Sequence, residues 1–302
     1  MADVQKTEKI WMNGSLINWG SAQTHVLTHT LHYGSGVFEG IRCYHTSHGT
    51  AIFRLQEHVD RLFASALAIR MTIPFTKKQI FDAIVETVRV NKLKSGYIRP
   101  VCYFGYGQVG LDTSACKVEV AVACWPWGAY LGEEALRNGV KVCISKEFKR
   151  YHGRLNTAKI NGNYYHSSLA KREANDRGYN ECLMLDDLGN VAEATSENLF
   201  MIKGKTLITP PKGSILLGIT RDSIMTIAKD LKLKVVEKTL KPKDLLSADE
   251  VFFTGTAAEV TPINSIDGKK IKRISIALDL QKAYFDIVNG KNKKYMKWLT
   301  VV

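Results

Sequence analysis

A chain of 302 residues, 45% of them hydrophobic, can bury a full core, and its length suits two domains. Its six cysteines show no Cys-x-x-Cys spacing, which argues against a disulfide framework or a zinc knuckle and for reduced, mostly buried thiols. No apolar run approaches a membrane span and Met1 to Lys9 is polar, so a soluble cytoplasmic protein is expected. The formal charge of +13 is diluted by intervening acids. Dense runs occur only at Lys269-Lys270-Ile271-Lys272-Arg273 and Lys291-Asn292-Lys293-Lys294, without an RNA-binding aromatic signature, so they read as solvated faces rather than a nucleic-acid surface.

Along the chain, Ile10-Trp11-Met12-Asn13-Gly14 opens with short alternation, and Asn-Gly signals a hairpin. Leu55, Val59, Leu62, Phe63, Ala66 and Ile69 recur at helical spacing, predicting a helix over 55–71 that stops before Pro74. Thr76 is placed to cap a second helix, whose Ile80, Ile84, Val88 and Leu93 line one face. Strands are expected at Tyr97 to Gly105 and Val118 to Trp125, followed by a Pro- and Gly-containing linker from Trp125 to Gly132. A second half from about Val140 has strands at Cys182 to Leu185, Asn198 to Ile202 and Val251 to Thr254. One helix is expected over Asn161 to Arg177, with Gly178 as its stop, and another over Thr220 to Leu231. The order is mixed rather than a regular βαβ series, which favours α+β domains.

Two motifs tempt and fail. Gly105-Tyr106-Gly107-Gln108-Val109-Gly110 matches G-x-G-x-x-G, but the turn-like Leu111-Asp112-Thr113-Ser114 follows where a dinucleotide fold needs a helix. His25, His29 and His32 would align on a helix to hold a metal. Their neighbours are β-branched or loop-prone and no acidic fourth ligand is spaced with them, so no metal site is expected.

Other residues combine into a chemistry. Lys159, in Ala158-Lys159-Ile160-Asn161-Gly162-Asn163-Tyr164, and Glu193, in Glu193-Ala194-Thr195-Ser196-Glu197-Asn198, offer an amine, a phenol and a carboxylate. A primary amine condenses with an aldehyde, and a carboxylate facing a pyridine nitrogen keeps that ring protonated, which suits pyridoxal phosphate and points to an aminotransferase. Taken alone, each residue would read as surface decoration. A phosphate also needs donors: Gly218-Ile219-Thr220 introduces a helix whose first amides can cradle an anion, and Gly255-Thr256-Ala257-Ala258 lets backbone approach a ligand closely.

From Glu193 through Asn198-Leu199-Phe200, Leu207-Ile208-Thr209 and Leu216-Leu217-Gly218-Ile219-Thr220-Arg221, the chain closely resembles the signature of class IV pyridoxal-phosphate aminotransferases of fold type IV. Val37-Phe38-Glu39-Gly40-Ile41-Arg42, Tyr97-Ile98-Arg99-Pro100 and Pro126-Trp127-Gly128-Ala129-Tyr130 extend the likeness, which within the class is greatest to branched-chain amino-acid aminotransferases.

The resemblance implies that Lys159 holds the cofactor aldehyde and shuttles the substrate proton, that Glu193 pairs with the pyridine nitrogen, and that Tyr164 donates to the phenolate oxygen. Arg61, on the outer turn of the first helix, would bind phosphate with Ile219, Thr220 and Thr256. By the same likeness Phe38, Gly40, Tyr97, Arg99, Tyr130, Thr256 and Ala257 surround the substrate, with Tyr33 and Leu111 arriving from a partner subunit of a homodimer or a multiple of it. Aromatic and aliphatic walls suit leucine, isoleucine and valine, and Arg99 suits the distal carboxylate of glutamate or 2-oxoglutarate.

The resemblance also implies a small α+β domain over 1–125, an interdomain loop over 126–137 and a larger cofactor-binding domain over 138–302, with the cofactor at the domain interface. Thr195 departs from the glycine common in branched-chain members and is expected to fill space beside the ring edge. The readings beside the leading one are a D-amino acid or (R)-amine transaminase or an aminodeoxychorismate lyase on the same fold, and, from another class, a basic nucleic-acid-binding protein.

Overall fold

The computed structural model describes residues 4–302. In chain order its first elements are β1 Lys9–Met12, β2 Ser15–Asn18, α1 His29–Tyr33, β3 Gly36–Phe38, β4 Ile41–Thr46, β5 Gly49–Phe53, α2 Leu55–Ala68, α3 Lys77–Val90, β6 Gly96–Phe104 and β7 Val118–Trp125. There follow α4 Glu133–Asn138, β8 Val140–Arg150, α5 Tyr164–Asp176, β9 Glu181–Asp186, β10 Val191–Ala194, β11 Asn198–Lys203 and β12 Thr206–Thr209. The chain closes with α6 Ile219–Asp230, β13 Lys234–Glu237, α7 Pro242–Leu246, β14 Glu250–Gly255, β15 Glu259–Ile266, β16 Lys269–Lys270, α8 Ser275–Val288 and β17 Leu299–Val301.

Two compact units result. One holds the described residues up to Gly128 together with Ala158–Asn163 and Ile287–Val302; the other holds Ala129–Thr157 and Tyr164–Asp286. The contiguous ranges expected from the sequence therefore differ from the observed units, because long-range backbone pairing returns two later segments to the first. The Phe38 N–H donates to the Lys159 carbonyl at 3.1 Å, and β17 pairs antiparallel with β5. Within the expected interdomain loop, only 126–132 lacks regular structure, since α4 begins at Glu133.

The first unit is built on an eight-stranded antiparallel sheet, ordered β17-β5-β4-β6-β7-β1-β2 with β3 beside β6. The Asn13-Gly14 turn joins β1 to β2, with Met12 opposite Ser15. Strand alternation sends Ile98, Cys102, Val120 and Val122 to one face, where Val59 and Leu62 of α2 and Ile80, Ile84 and Val88 of α3 cover them. Leu62 and Ile84 are fully buried, each contributing about 1.5–3 kcal/mol of transfer free energy. Thr76 and Gln79 cap α3 reciprocally, as a box in which each side chain meets the other's backbone N–H. The same alternation turns Tyr97 and Arg99 to the opposite face, away from this core.

The second unit carries a nine-stranded mixed sheet, ordered β10-β9-β8-β15-β14-β11-β12-β13 with β16 beside β15. Pairs β8–β9, β8–β15 and β12–β13 are parallel and the rest antiparallel, so the α+β reading holds. Central strands β11 and β14 are buried almost throughout, and Phe200 stacks on Phe252 at 5.3 Å.

Two local expectations need correction. The helix expected over Asn161 to Arg177 is a 3-10 turn over Asn161–Asn163 followed by α5. The histidine segment, read as non-helical, forms the one-turn helix α1. His29 is nonetheless engaged locally, bonded to Ser35 Oγ at 2.6 Å and the Gly110 carbonyl at 2.7 Å, while His32 bonds the Val26 carbonyl. After Gly110 no helix forms before β7, which removes the dinucleotide reading.

Candidate active site

In the first unit, Lys159 is fixed by its backbone. Its N–H donates to Ser65 Oγ of α2 at 3.0 Å and its carbonyl accepts from Phe38 at the end of β3, so strand and helix together set where the side chain starts. Lys159 as a whole is 9% exposed, and Nζ lies 4.5 Å from the centre of the Phe38 ring. Burial, reinforced by Arg61 and Arg99 and opposed by Glu39 and Tyr97, lowers Lys159 to about 8. About a tenth is therefore a neutral amine at pH 7, far more than for an ordinary lysine, and that is the form that attacks an aldehyde or accepts a proton.

Arg61 lies on the α2 face that also carries His58 and Ser65. It is partly buried rather than on an outer turn, and Glu39 takes it by both Nε (2.7 Å to Oε1) and Nη2 (2.9 Å to Oε2). His58 Nδ1 donates to Glu39 Oε2 at 2.7 Å. Burial pushes Glu39 up, yet the Arg61 charge and these hydrogen bonds outweigh it and hold the carboxyl well below the usual range; burial lowers His58, which stays neutral. Sequence reading passed over Glu39 and His58, since nothing in the spacing of a Phe-Glu-Gly triplet and a helix 19 residues later reveals a buried pair.

Gly40 is small for a reason: a Cβ there would overlap the Tyr97 hydroxyl. Arg99 lies against an aromatic wall, its guanidinium carbon 4.7 Å from the Phe38 ring centre, 5.3 Å from Tyr97 and 6.0 Å from Trp125. Its Nε is buried and has no hydrogen-bond partner among the described residues. Thus Lys159, Arg61, Phe38, Gly40, Tyr97 and Arg99 belong to one unit. Tyr33 and Leu111 belong to it too but are exposed, Leu111 at 84%.

In the second unit, Glu193 of β10 is buried among hydrogen-bond donors. Arg150 Nη2 reaches Oε1 at 2.6 Å, while Asn198 Nδ2 (2.9 Å) and the Leu216 N–H (3.0 Å) reach Oε2. These donors favour the ionised carboxylate. Asn198 can lie there because residue 218 is glycine: a Cβ on Gly218 would overlap Asn198 Oδ1. Arg150, the last residue of β8, escaped the sequence reading as one of 42 basic residues.

Ile219 and Thr220 form the buried first turn of α6, which has no side-chain cap at Gly218. A buried helix start of this kind suits an anion. Thr256 and Ala257 follow β14 and are half-buried; within that strand, Thr254 Oγ1 is buried without a hydrogen-bond partner among the described residues. Tyr164 is the first residue of α5, and the Tyr130 ring faces Lys171 Nζ at 5.9 Å. The Thr195 hydroxyl donates to Glu181 Oε1 at 2.7 Å. Beside it, burial and the Glu181 charge push Glu197 up to about 8.

Residues 36–266 match the amino-transferase class IV family. The chain belongs to the class IV aminotransferases. The branched-chain-amino-acid aminotransferase of Pseudomonas aeruginosa is 50% identical over 298 residues, covering 97% of each chain. Among solved structures, the Escherichia coli branched-chain amino acid aminotransferase superposes with a TM-score of 0.94 at 39% identity, covering 97% of this chain and 99% of that one. The enzyme of the same name from the thermophilic archaeon Thermoproteus uzoniensis, solved with norvaline, gives 0.93 at 41% identity, covering 98% of this chain and 99% of that one. For a class IV aminotransferase, the basic runs need no nucleic-acid partner.

Proposed function

We propose that this class IV aminotransferase moves the amino group of L-leucine, L-isoleucine or L-valine to 2-oxoglutarate, giving the branched-chain 2-oxo acid and L-glutamate with pyridoxal phosphate as carrier. The observation that carries the reading is the aromatic wall of Phe38 and Tyr97, against which both a buried, weakly basic Lys159 and Arg99 lie. The donor set fits the cofactor. A buried amine suits its aldehyde, the Glu193 carboxylate suits its ring nitrogen, and Arg61 with a buried helix start that has no side-chain cap at Gly218 suits its phosphate.

When bound, pyridoxal phosphate supplies an aldehyde to carry the amino group and a ring that takes up the electrons released at Cα. Lys159 Nζ would hold the cofactor aldehyde and would carry the proton of the substrate Cα. Glu193 holds a proton on the ring nitrogen, its own orientation set by Arg150, Asn198 and the Leu216 amide. Tyr164 would donate to the phenolate oxygen, and Arg61, the Ile219 and Thr220 amides and Thr256 would hold the phosphate. Phe38, Gly40 and Tyr97 would give an apolar wall for an aliphatic side chain, to which the reading adds Tyr130. Tyr97 with the Thr256 and Ala257 amides takes the α-carboxylate, and Arg99 takes the distal carboxylate of glutamate.

A homodimer is part of the proposal. Exposed Val26, Leu27, Leu31 and Tyr33 lie on one segment and Tyr106, Val109 and Leu111 on another, joined by His25 against Tyr106 and by the bond from His29 to Gly110. An apolar patch of that kind favours a partner, with Tyr33 and Leu111 reaching its pocket. Six free cysteines support a reducing cytoplasm; among the described residues no helix is long and apolar enough to cross a membrane.

Single-turnover spectroscopy of the cofactor-loaded protein tests the reading. L-leucine and L-glutamate should each rapidly discharge the absorbance of the lysine-bound cofactor, and D-alanine or an (R)-amine should not. Preference for the latter pair would move the protein to another activity on the same fold.

A further inference from the structure

Glu39 is the last residue before Gly40 and is wholly shielded from solvent, whereas the Arg61 side chain that it binds remains 15% exposed. A surface ion pair needs no such burial of its acid, and a carboxylate taken fully out of water is costly unless every oxygen is paired. Here each oxygen is: Oε1 takes Arg61 Nε, and Oε2 takes Arg61 Nη2, His58 Nδ1 and the Gly40 N–H. Arg61 is thereby gripped along one edge by a planar fork, which fixes the guanidinium plane as well as its position. His58 and Arg61 are three residues apart on α2, and Ser65, four further on, accepts the Lys159 N–H. The same helix face therefore sets the Arg61 guanidinium and the origin of the lysine side chain.

We propose that Glu39, braced by His58, is a positioning residue for the cofactor phosphate: it holds the Arg61 guanidinium in one orientation before the phosphate arrives. The inference rests on the assignment of Arg61 to the phosphate. Two effects of Glu39 oppose one another. Its charge offsets that of Arg61 and weakens long-range attraction for an anion, while its fork removes the rotamer freedom that a long side chain otherwise loses on binding. The full burial of the acid favours the second, and the two effects predict opposite outcomes.

The test is equilibrium binding of pyridoxal phosphate and of pyridoxal, which lacks the phosphate, to the full-length apoprotein. Wild type is compared with Glu39→Gln, Arg61→Gln and the double variant, with tryptophan fluorescence as the readout. Glu39→Gln should weaken pyridoxal phosphate by about tenfold or more, in the range typical for loss of an outer partner of a binding group, and leave pyridoxal within about twofold. Once Arg61 is absent the second substitution should change little, so the double variant should match Arg61→Gln within about twofold. His58→Asn, which keeps a donor toward Glu39, should retain most of the affinity that His58→Leu loses.

Tighter or unchanged binding of pyridoxal phosphate by Glu39→Gln would overturn the proposal, since that is what mere charge neutralisation predicts. So would equal losses for both aldehydes, the mark of a general structural role. If Glu39→Gln does not fold, the double variant, whose pair is neutral, still decides: weaker binding than Arg61→Gln refutes the role. An Arg61→Gln protein that keeps its preference for pyridoxal phosphate over pyridoxal would instead remove Arg61 from the phosphate, and the proposal with it.

Discussion

Replacing Arg150 with methionine should destabilise the apoprotein by about 3 kcal/mol, the lower end of the range for breaking a buried ion pair. The size follows from the surroundings of Glu193. Both side chains are only 8% exposed, and the variant would leave the carboxylate buried among neutral donors that include Asn198 Nδ2 at 2.9 Å and the Leu216 N–H at 3.0 Å. Those two keep the cost from reaching the upper end. Adding Glu193→Gln removes the stranded charge, so the double variant should recover at least about half of the loss, as expected when a buried pair is removed together rather than broken. Urea unfolding at pH 7, followed by fluorescence and circular dichroism and read only where the two transitions coincide, measures both. A loss below about 1 kcal/mol for Arg150→Met, or a double variant as unstable as the single, would show that Arg150 does not anchor Glu193.

Three further outcomes are expected. Because Lys159 is lowered from 10.5 to about 8 in the folded apoprotein, the unfolded chain binds more protons between those values; Lys159 should therefore add stability as pH rises through that window, up to roughly 3 kcal/mol. Lys159→Met should lack this rise, and parallel pH profiles for the two proteins would contradict the shift. Arg99→Ala should slow the glutamate half-reaction about 10- to 100-fold more than the leucine one, the worth of a charge-assisted bond to a carboxylate, and equal losses in stopped-flow half-reactions would count against a dual pocket. Thr195→Val should cost about 1–3 kcal/mol by leaving Glu181 short of a donor while the ranking of leucine, isoleucine and valine stays the same; a reordered ranking would show that Thr195 also shapes the substrate pocket.

Much of the backbone was legible because it depends on local rules. The Asn13-Gly14 hairpin, the Thr76 cap, the apolar faces of α2 and α3 and the strand at Val118–Trp125 all follow from turn chemistry and periodicity within a few residues. The one-turn helix α1 was missed where tertiary bonds from His29 to Ser35 and Gly110 override weak propensity. The extent of α5 was overrun because helical periodicity does not reveal that the three residues before it, Asn161–Asn163, turn more tightly.

The candidate site divides along the same line. Residue types and the spacing from Glu193 to Arg221 named an amine, a carboxylate and an anion-binding helix start, since those groups carry their chemistry wherever they fold. Partners were another matter. Lys159 becomes a weak base only through burial beside Arg61, and Arg150 is singled out from 42 basic residues only by lying 2.6 Å from Glu193. That the Thr195 hydroxyl bonds Glu181 is likewise visible only in the folded chain. The chain by itself determined which chemical groups exist and which local elements carry them; solvent exclusion and contacts between residues far apart in sequence, which no local pattern encodes, decided their charge states and their partners.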